Sequence, residues 1–131
     1  YASAIAATDT PAIRVPAAAF ARLLGREPAF AAAVLTIYHT RMRHMAEAIS
    51  LAPAPVEQRL AYTLLRLKAS FGKTIPVPHK ELSRMAGTRL ETSIRTIARM
   101  KRQAWLRSSR GKITILAPDP LKALLREQNH R

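Results

Sequence analysis

At 131 residues the chain has room for one ordinary domain plus an extra element, but not for two full cores. A hydrophobic content of 48% is enough to bury a core, which excludes a disordered tail; the lack of cysteine excludes disulfides, thiolate metal sites, iron–sulfur clusters and cysteine nucleophiles. Lysine and arginine number 22 against 8 aspartates and glutamates, a formal charge of +14, and a field of that sign favours a polyanion as partner.

In chain order, Ala4 to Ala7 and Ala12 to Val15 read as two short strands around the turn residues Thr8, Asp9, Thr10 and Pro11. Pro16 opens a small helix through Leu24 with Phe20, Leu23 and Leu24 on one face. Two strands make no stable sheet alone in water, so residues 1–28 read as the end of a larger β unit. Because the first residue is Tyr1, the chain is expected to be a piece of a longer protein, a naturally short one being the alternative.

Residues 29–52 read as one long helix, free of glycine and rich in Ala, Met, Arg and Leu. Ala31, Leu35, Tyr38, Met42, Met45, Ile49 and Ala52 follow at steps of three or four, the spacing of a coiled-coil seam. Periodicity alone fits a helix packed on its own domain as well as it fits a dimerisation helix. In the dimer reading the interface is Leu35, Tyr38, Met42, Met45 and Ile49.

The run Ala52-Pro53-Ala54-Pro55 cannot continue that helix and reads as a hinge, opening a second domain over residues 53–131. Pro55 starts a helix through about Lys68 that buries Val56, Leu60, Leu64, Leu65 and Leu67. Thr74 to Val77 is a short strand, placed at a sheet edge by Pro76. Pro78 to Ala86 and Arg89 to about Gln103 are helices joined by a tight turn at Gly87, with Thr88 as N-cap and Glu91 as its capping-box partner. A hairpin turning at Ser108-Ser109-Arg110-Gly111 follows, with Lys112 to Leu116 as its second strand; Asp119 then caps a last helix over Leu121, Leu124 and Leu125. The fold class is mainly α with a small β component: a winged helix-turn-helix domain preceded by a long helix.

The second helix of the pair is given an apolar face of Leu90, Ile94, Ile97 and Met100, which leaves Arg89, Thr92, Arg95 and Arg99 together on the opposite side. Arginine suits that place, because its planar fork binds guanine O6 and N7 or grips phosphate. Between His79 and Lys112 stand ten basic residues against Glu81 and Glu91, so more than half of the net charge sits in about a quarter of the chain. Concentration on one helix-turn-helix and its wing points to double-stranded DNA.

The stretch Pro78 to Leu116, PHKELSRMAGTRLETSIRTIARMKRQAWLRSSRGKITIL, resembles the winged helix of the Crp/Fnr superfamily of bacterial transcription regulators. The likeness lies in the acidic and threonine pair of the second helix, the arginine three residues after the threonine, and the Gly-Lys-Ile-Thr-Ile wing. It extends to the seam from Ala31 to Ile49, similar to the family's dimerisation helix, and to Glu57-Gln58-Arg59-Leu60-Ala61, similar to the helix after its hinge. ATDTPAIRVPAAAFARLL resembles the last strand and exit helix of the family's sensor β-roll.

The resemblance implies a homodimer whose Glu91 reads a cytosine amino group, Arg95 a guanine edge or neighbouring phosphate, and Thr92 the backbone. His79, Lys80, Arg110 and Lys112 would contact phosphate, while Glu91 as chiefly a cap partner stays an alternative. Leu90, Ser93, Ile94 and Thr96 depart from the family pattern and leave open a rotated recognition helix. The missing secretory leader and the lack of cysteine lead us to expect a cytoplasmic setting, and RNA polymerase is a candidate acidic partner; most of the family's sensor lies outside these residues, so no effector or cofactor site is expected here. A different reading is a winged helix whose basic face binds an acidic protein.

No Ser/His/Asp arrangement, paired carboxylate motif or phosphate loop suggests an enzyme. His39 and His44 lie five apart, off the spacing that lets two ligands share a metal, and Met42 and Met45 read as seam rather than ligands. No apolar run approaches the ~18 residues of a spanning helix, no secretory leader is legible, and no helix has the basic-flanked apolar face of a membrane-surface anchor.

Overall fold

The structure is a computed structural model and describes residues 5, 6 and 9–126. It divides into two units, residues 1–44 and 45–131.

In the first unit α1 (Ala17–Arg26) begins directly behind Pro16, whose fixed φ sets up the helical start. Phe20 of α1 meets Phe30 edge to face, with ring centroids 5.4 Å apart. The expected strand at Ala12 to Val15 does not form: these residues take no regular structure and Ile13 is almost wholly exposed. Its expected partner, Ala4 to Ala7, falls partly outside the described residues, and Ile5 and Ala6 are not in a strand. Among the described residues of this unit no strand offers ladder hydrogen bonds, and a strand without a partner leaves its amides to water.

Helix α2 (Pro28–Ser50) runs for 23 residues, and none of them is buried. The polypeptide then turns through Leu51 to Pro55, where Leu51 and Ala54 are buried, and enters α3 (Val56–Phe71) with Pro55 as its N-cap. Next come β1 (Thr74–Ile75), α4 (His79–Met85), α5 (Leu90–Arg102), the hairpin β2 (Leu106–Ser109) and β3 (Lys112–Ile115), and α6 (Pro118–Arg126). The three strands form one antiparallel sheet in the order β1-β3-β2, so β1, with Pro76 just beyond it, lies at an edge as predicted. Ser109 pairs with Lys112, leaving only Arg110 and Gly111 in the turn, tighter than the four residues expected.

Every element after the hinge supplies the core: Leu60, Leu64 and Leu67 from α3, Leu82 from α4, Ile97 and Met100 from α5, Ile75, Leu106, Ile113 and Ile115 from the sheet, and Leu121 from α6. A helix-turn-helix backed by α3 and α6 and followed by a hairpin is a winged helix.

Two cap assignments change. Gly87 (φ 59°) donates its amide to Arg84 O, and Thr88 donates its own to Ser83 O, which together close α4 in a Schellman motif. Thr88 thus stands in the turn that closes α4, and α5 begins behind Arg89 with no side-chain cap, so the Thr88–Glu91 capping box does not form. Asp119 likewise lies inside the first turn of α6, which starts at Pro118, and it pairs with Lys122 at 3.3 Å rather than capping the helix.

Candidate nucleic-acid interface

The Schellman turn at Gly87 fixes where α5 starts, and Ile97 and Met100 fix its phase by entering the core. With that phase Ser93 and Thr96 face inward and are buried, while Leu90 and Ile94 face water at 40% and 48% exposure. The apolar face read from the sequence is thus half corrected: Ile97 and Met100 hold, whereas Leu90 and Ile94 give way to Ser93 and Thr96. Thr96 donates its hydroxyl to Thr92 O at 2.9 Å, but Ser93 Oγ finds no partner among the described residues.

The outward face of α5 carries Glu91, Ile94, Arg95 and Arg102, all exposed, with Arg89 and Leu90 exposed at its entrance. Thr92 sits at the margin, half-buried. Arg99 is exposed but engaged, with its guanidinium 2.5 Å from a carboxylate oxygen of Glu57 on α3. It belongs as much to the α3–α5 packing as to the outer face, and Arg102, two turns beyond Arg95, stands on the outer face in a way the sequence reading did not single out.

Lys80 is exposed at the start of α4, and Arg110 and Lys112 are exposed at the tip of the hairpin. His79 is different. It is half-buried, its Nε2 lies 2.9 Å from Ser108 Oγ on β2, and its Nδ1 is buried without a partner among the described residues. Burial, reinforced by the like charge of Lys101, holds its pKa below the ordinary histidine value. His79 therefore ties the start of α4 to the wing as a neutral ring.

Arg59 of α3 donates to Ala52 O in the hinge at 2.8 Å and to Gly87 O in the helix-turn-helix at 3.2 Å. One guanidinium thus joins the hinge carbonyl to the tight turn. Nearby, Tyr62 donates its hydroxyl to Glu47 at 2.9 Å; burial, then this bond to a carboxylate, raises the phenol's pKa and keeps it protonated. Arg59, Tyr62, Arg66, Met85 and Gly87 line a cleft of about 380 Å³ with the end of α2. The proton donors of Arg59 reach backbone carbonyls 7 and 28 residues away, and no side-chain pattern in the sequence announces them.

No helix among the described residues is long and apolar enough to cross a membrane. No group of three or more His, Asp or Glu side chains is placed to hold a metal among them either.

The profile of the Crp-like helix-turn-helix domain matches residues 58–124, just over half of the chain. Among solved structures the chain is similar to a transcriptional regulator of the CRP/FNR family from Thermus thermophilus, at 26% identity and a TM-score of 0.65, over 76% of this chain and 56% of that one. It shares the fold of the catabolite activator protein of Thermus thermophilus (23% identity, TM-score 0.53, 84% of this chain and 53% of that one). FixK2 from Bradyrhizobium japonicum has the same fold at 18% identity and a TM-score of 0.71, over 82% of this chain and 57% of that one. The chain spans a little over half the length of each of these proteins. No curated protein matches it by sequence.

Proposed function

Because the chain belongs to the Crp/Fnr superfamily of transcription regulators, through its Crp-like helix-turn-helix domain, we propose that it binds double-stranded DNA sequence-specifically as a homodimer in the bacterial cytoplasm. The observation that carries this reading is the basic outer face of α5 and the hairpin tip. Arg89, Arg95, Arg102, Arg110 and Lys112 are all exposed there, and Glu91 is the only acid among them.

In this reading α5 lies in the major groove. Arg95 binds a guanine edge or the adjoining phosphate, Glu91 accepts from a cytosine amino group, and Arg89, Thr92 and Arg99 secure the helix against the strands. Lys80, Arg110 and Lys112 grip phosphate on either side, positioning the module without reading sequence. His79, being neutral and bonded to Ser108, serves by holding the wing in place and can offer phosphate only a neutral contact. Two such heads, joined along Leu35, Tyr38, Met42, Met45 and Ile49, address half-sites about one DNA turn (~34 Å) apart on a palindromic site. The support for joining them there is that the whole seam lies exposed on a helix that buries none of its residues.

The test is footprinting and gel-shift titration of genomic fragments at physiological salt. A few fragments should be retained far more tightly than the rest, and Arg95→Ala should abolish that preference. Arg95 is a cleaner probe than Arg99, whose removal also breaks the pair with Glu57. Uniform weak binding to every fragment overturns sequence-specific recognition. Capture of an acidic protein that is lost in Arg95→Ala, with DNA retention unchanged, would assign the basic face to a protein partner instead.

A further inference from the structure

Leu90 and Ile94 are a full turn apart on α5 and stand exposed beside Glu91 and Arg95. Neither is there to serve the core, since Ile97 and Met100 do that while Ser93 and Thr96 close the inner face. Helix propensity does not account for Ile94 either, since Ile, being β-branched, is a poorer helix former than the charged residues around it. Both lie in the first two turns, the part of a recognition helix that reaches base edges.

In the major groove only one base feature is apolar, the C5-methyl group of thymine. The two side chains make a patch far smaller than the few hundred Å² of a protein docking surface, and it adjoins Arg89 and Arg95, a charge that fits DNA. We propose that Leu90 and Ile94 are specificity-determining residues that pack on thymine methyl groups, so that each half-site carries thymine adjoining the bases read by Glu91 and Arg95. The inference rests on the DNA-binding reading and adds a base identity to it.

The experiment uses the whole chain and the tightest sequence selected from random duplexes. Each thymine of a half-site is replaced in turn by deoxyuracil, which removes the methyl group and keeps every hydrogen bond. At one or two positions affinity should fall about fourfold per methyl, the worth of one buried carbon. In the Leu90→Ala, Ile94→Ala double variant the same replacements should cost nothing, while the salt dependence of binding stays that of the parent, because no phosphate contact is touched. Both residues are exposed, so the variant keeps its fold, and a thermal melt confirms it.

Deoxyuracil without effect at every position overturns the inference and leaves the regulator reading intact. So does an undiminished penalty in the double variant, or a double variant that binds the selected site as tightly as the parent, which would mean the patch serves another partner. Failure to select any sequence, with uniform salt-sensitive retention, overturns sequence-specific recognition and this assignment with it.

Discussion

Ser93 is fully buried in α5 with a hydroxyl that meets no partner among the described residues. A buried polar atom left unpaired costs about 1–3 kcal/mol, and alanine is also the better helix former. Ser93→Ala should therefore stabilise the domain by about 1 kcal/mol, read as a rise of roughly 4–8 °C in melting temperature. His79 gives a pH dependence. Its folded pKa is depressed by burial and Lys101, so below the ordinary value of about 6.5 the unfolded chain takes up a proton that the folded chain resists. The unfolded state then binds more protons. The stability of the neutral ring is fully present above about pH 6.5 and is lost as pH falls below it. Melts at about pH 7.5 and about pH 5.5 should show the decline, and His79→Gln, which can still bond Ser108 but does not titrate in this range, should shrink it. At this scale the sequence misleads where size and polarity compete with phase. Leu90 and Ile94 look like core and are exposed, whereas Ser93 and Thr96 look solvated and are buried, because two residues further along, Ile97 and Met100, decide the rotation.

The two helices of the reading head end alike. As α4 closes on Gly87, α5 closes on Ala104 (φ 59°), with Ala104 donating to Lys101 O and Trp105 to Met100 O. The second motif has alanine where glycine sits most easily, and the left-handed conformation costs an L-residue about 1–2 kcal/mol. Ala104→Gly relieves that cost and gives back about 0.4–1 kcal/mol in unfolded-chain entropy, so a net gain of about 0.5 kcal/mol or more is expected. The converse change, Gly87→Ala, meets no atom within 4 Å and should cost about 1 kcal/mol through its φ alone. Urea midpoints should move in opposite directions at unchanged m-value. Helix and strand identities after the hinge are all legible in the sequence, since prolines, glycines and apolar spacing mark them. The starts of α5 and α6 are not, because a cap must stand just ahead of the first turn: Thr88 is taken into the turn that closes α4, so α5 begins behind Arg89, and Asp119 is drawn into a helix that begins at Pro118. At the chain's beginning the alternating apolar residues at 12–15 resemble a strand, but a strand is a property of its partner.

Across the whole molecule, the concentration of positive charge on one helix and one hairpin is visible in the residue order. The bond from Arg59 to the hinge and the turn is not, as its acceptors are carbonyls that any residue would carry. The seam of α2 is also legible in its spacing. Its solvation on the single chain is the added observation, with Met42 at 68% and Ile49 at 71% exposure. Met42→Glu places a charge in the middle of that seam and should convert a dimer to monomer by sedimentation, with the melting profile of the winged helix preserved and affinity for a palindromic site reduced by more than tenfold through lost bivalency. If the proposed homodimer forms along this stripe, it also links gene dosage to output. Where the chain is scarce, pairs would then accumulate as the square of its abundance, so doubling synthesis would raise the paired form about fourfold and a bound site would respond to expression more steeply than in proportion.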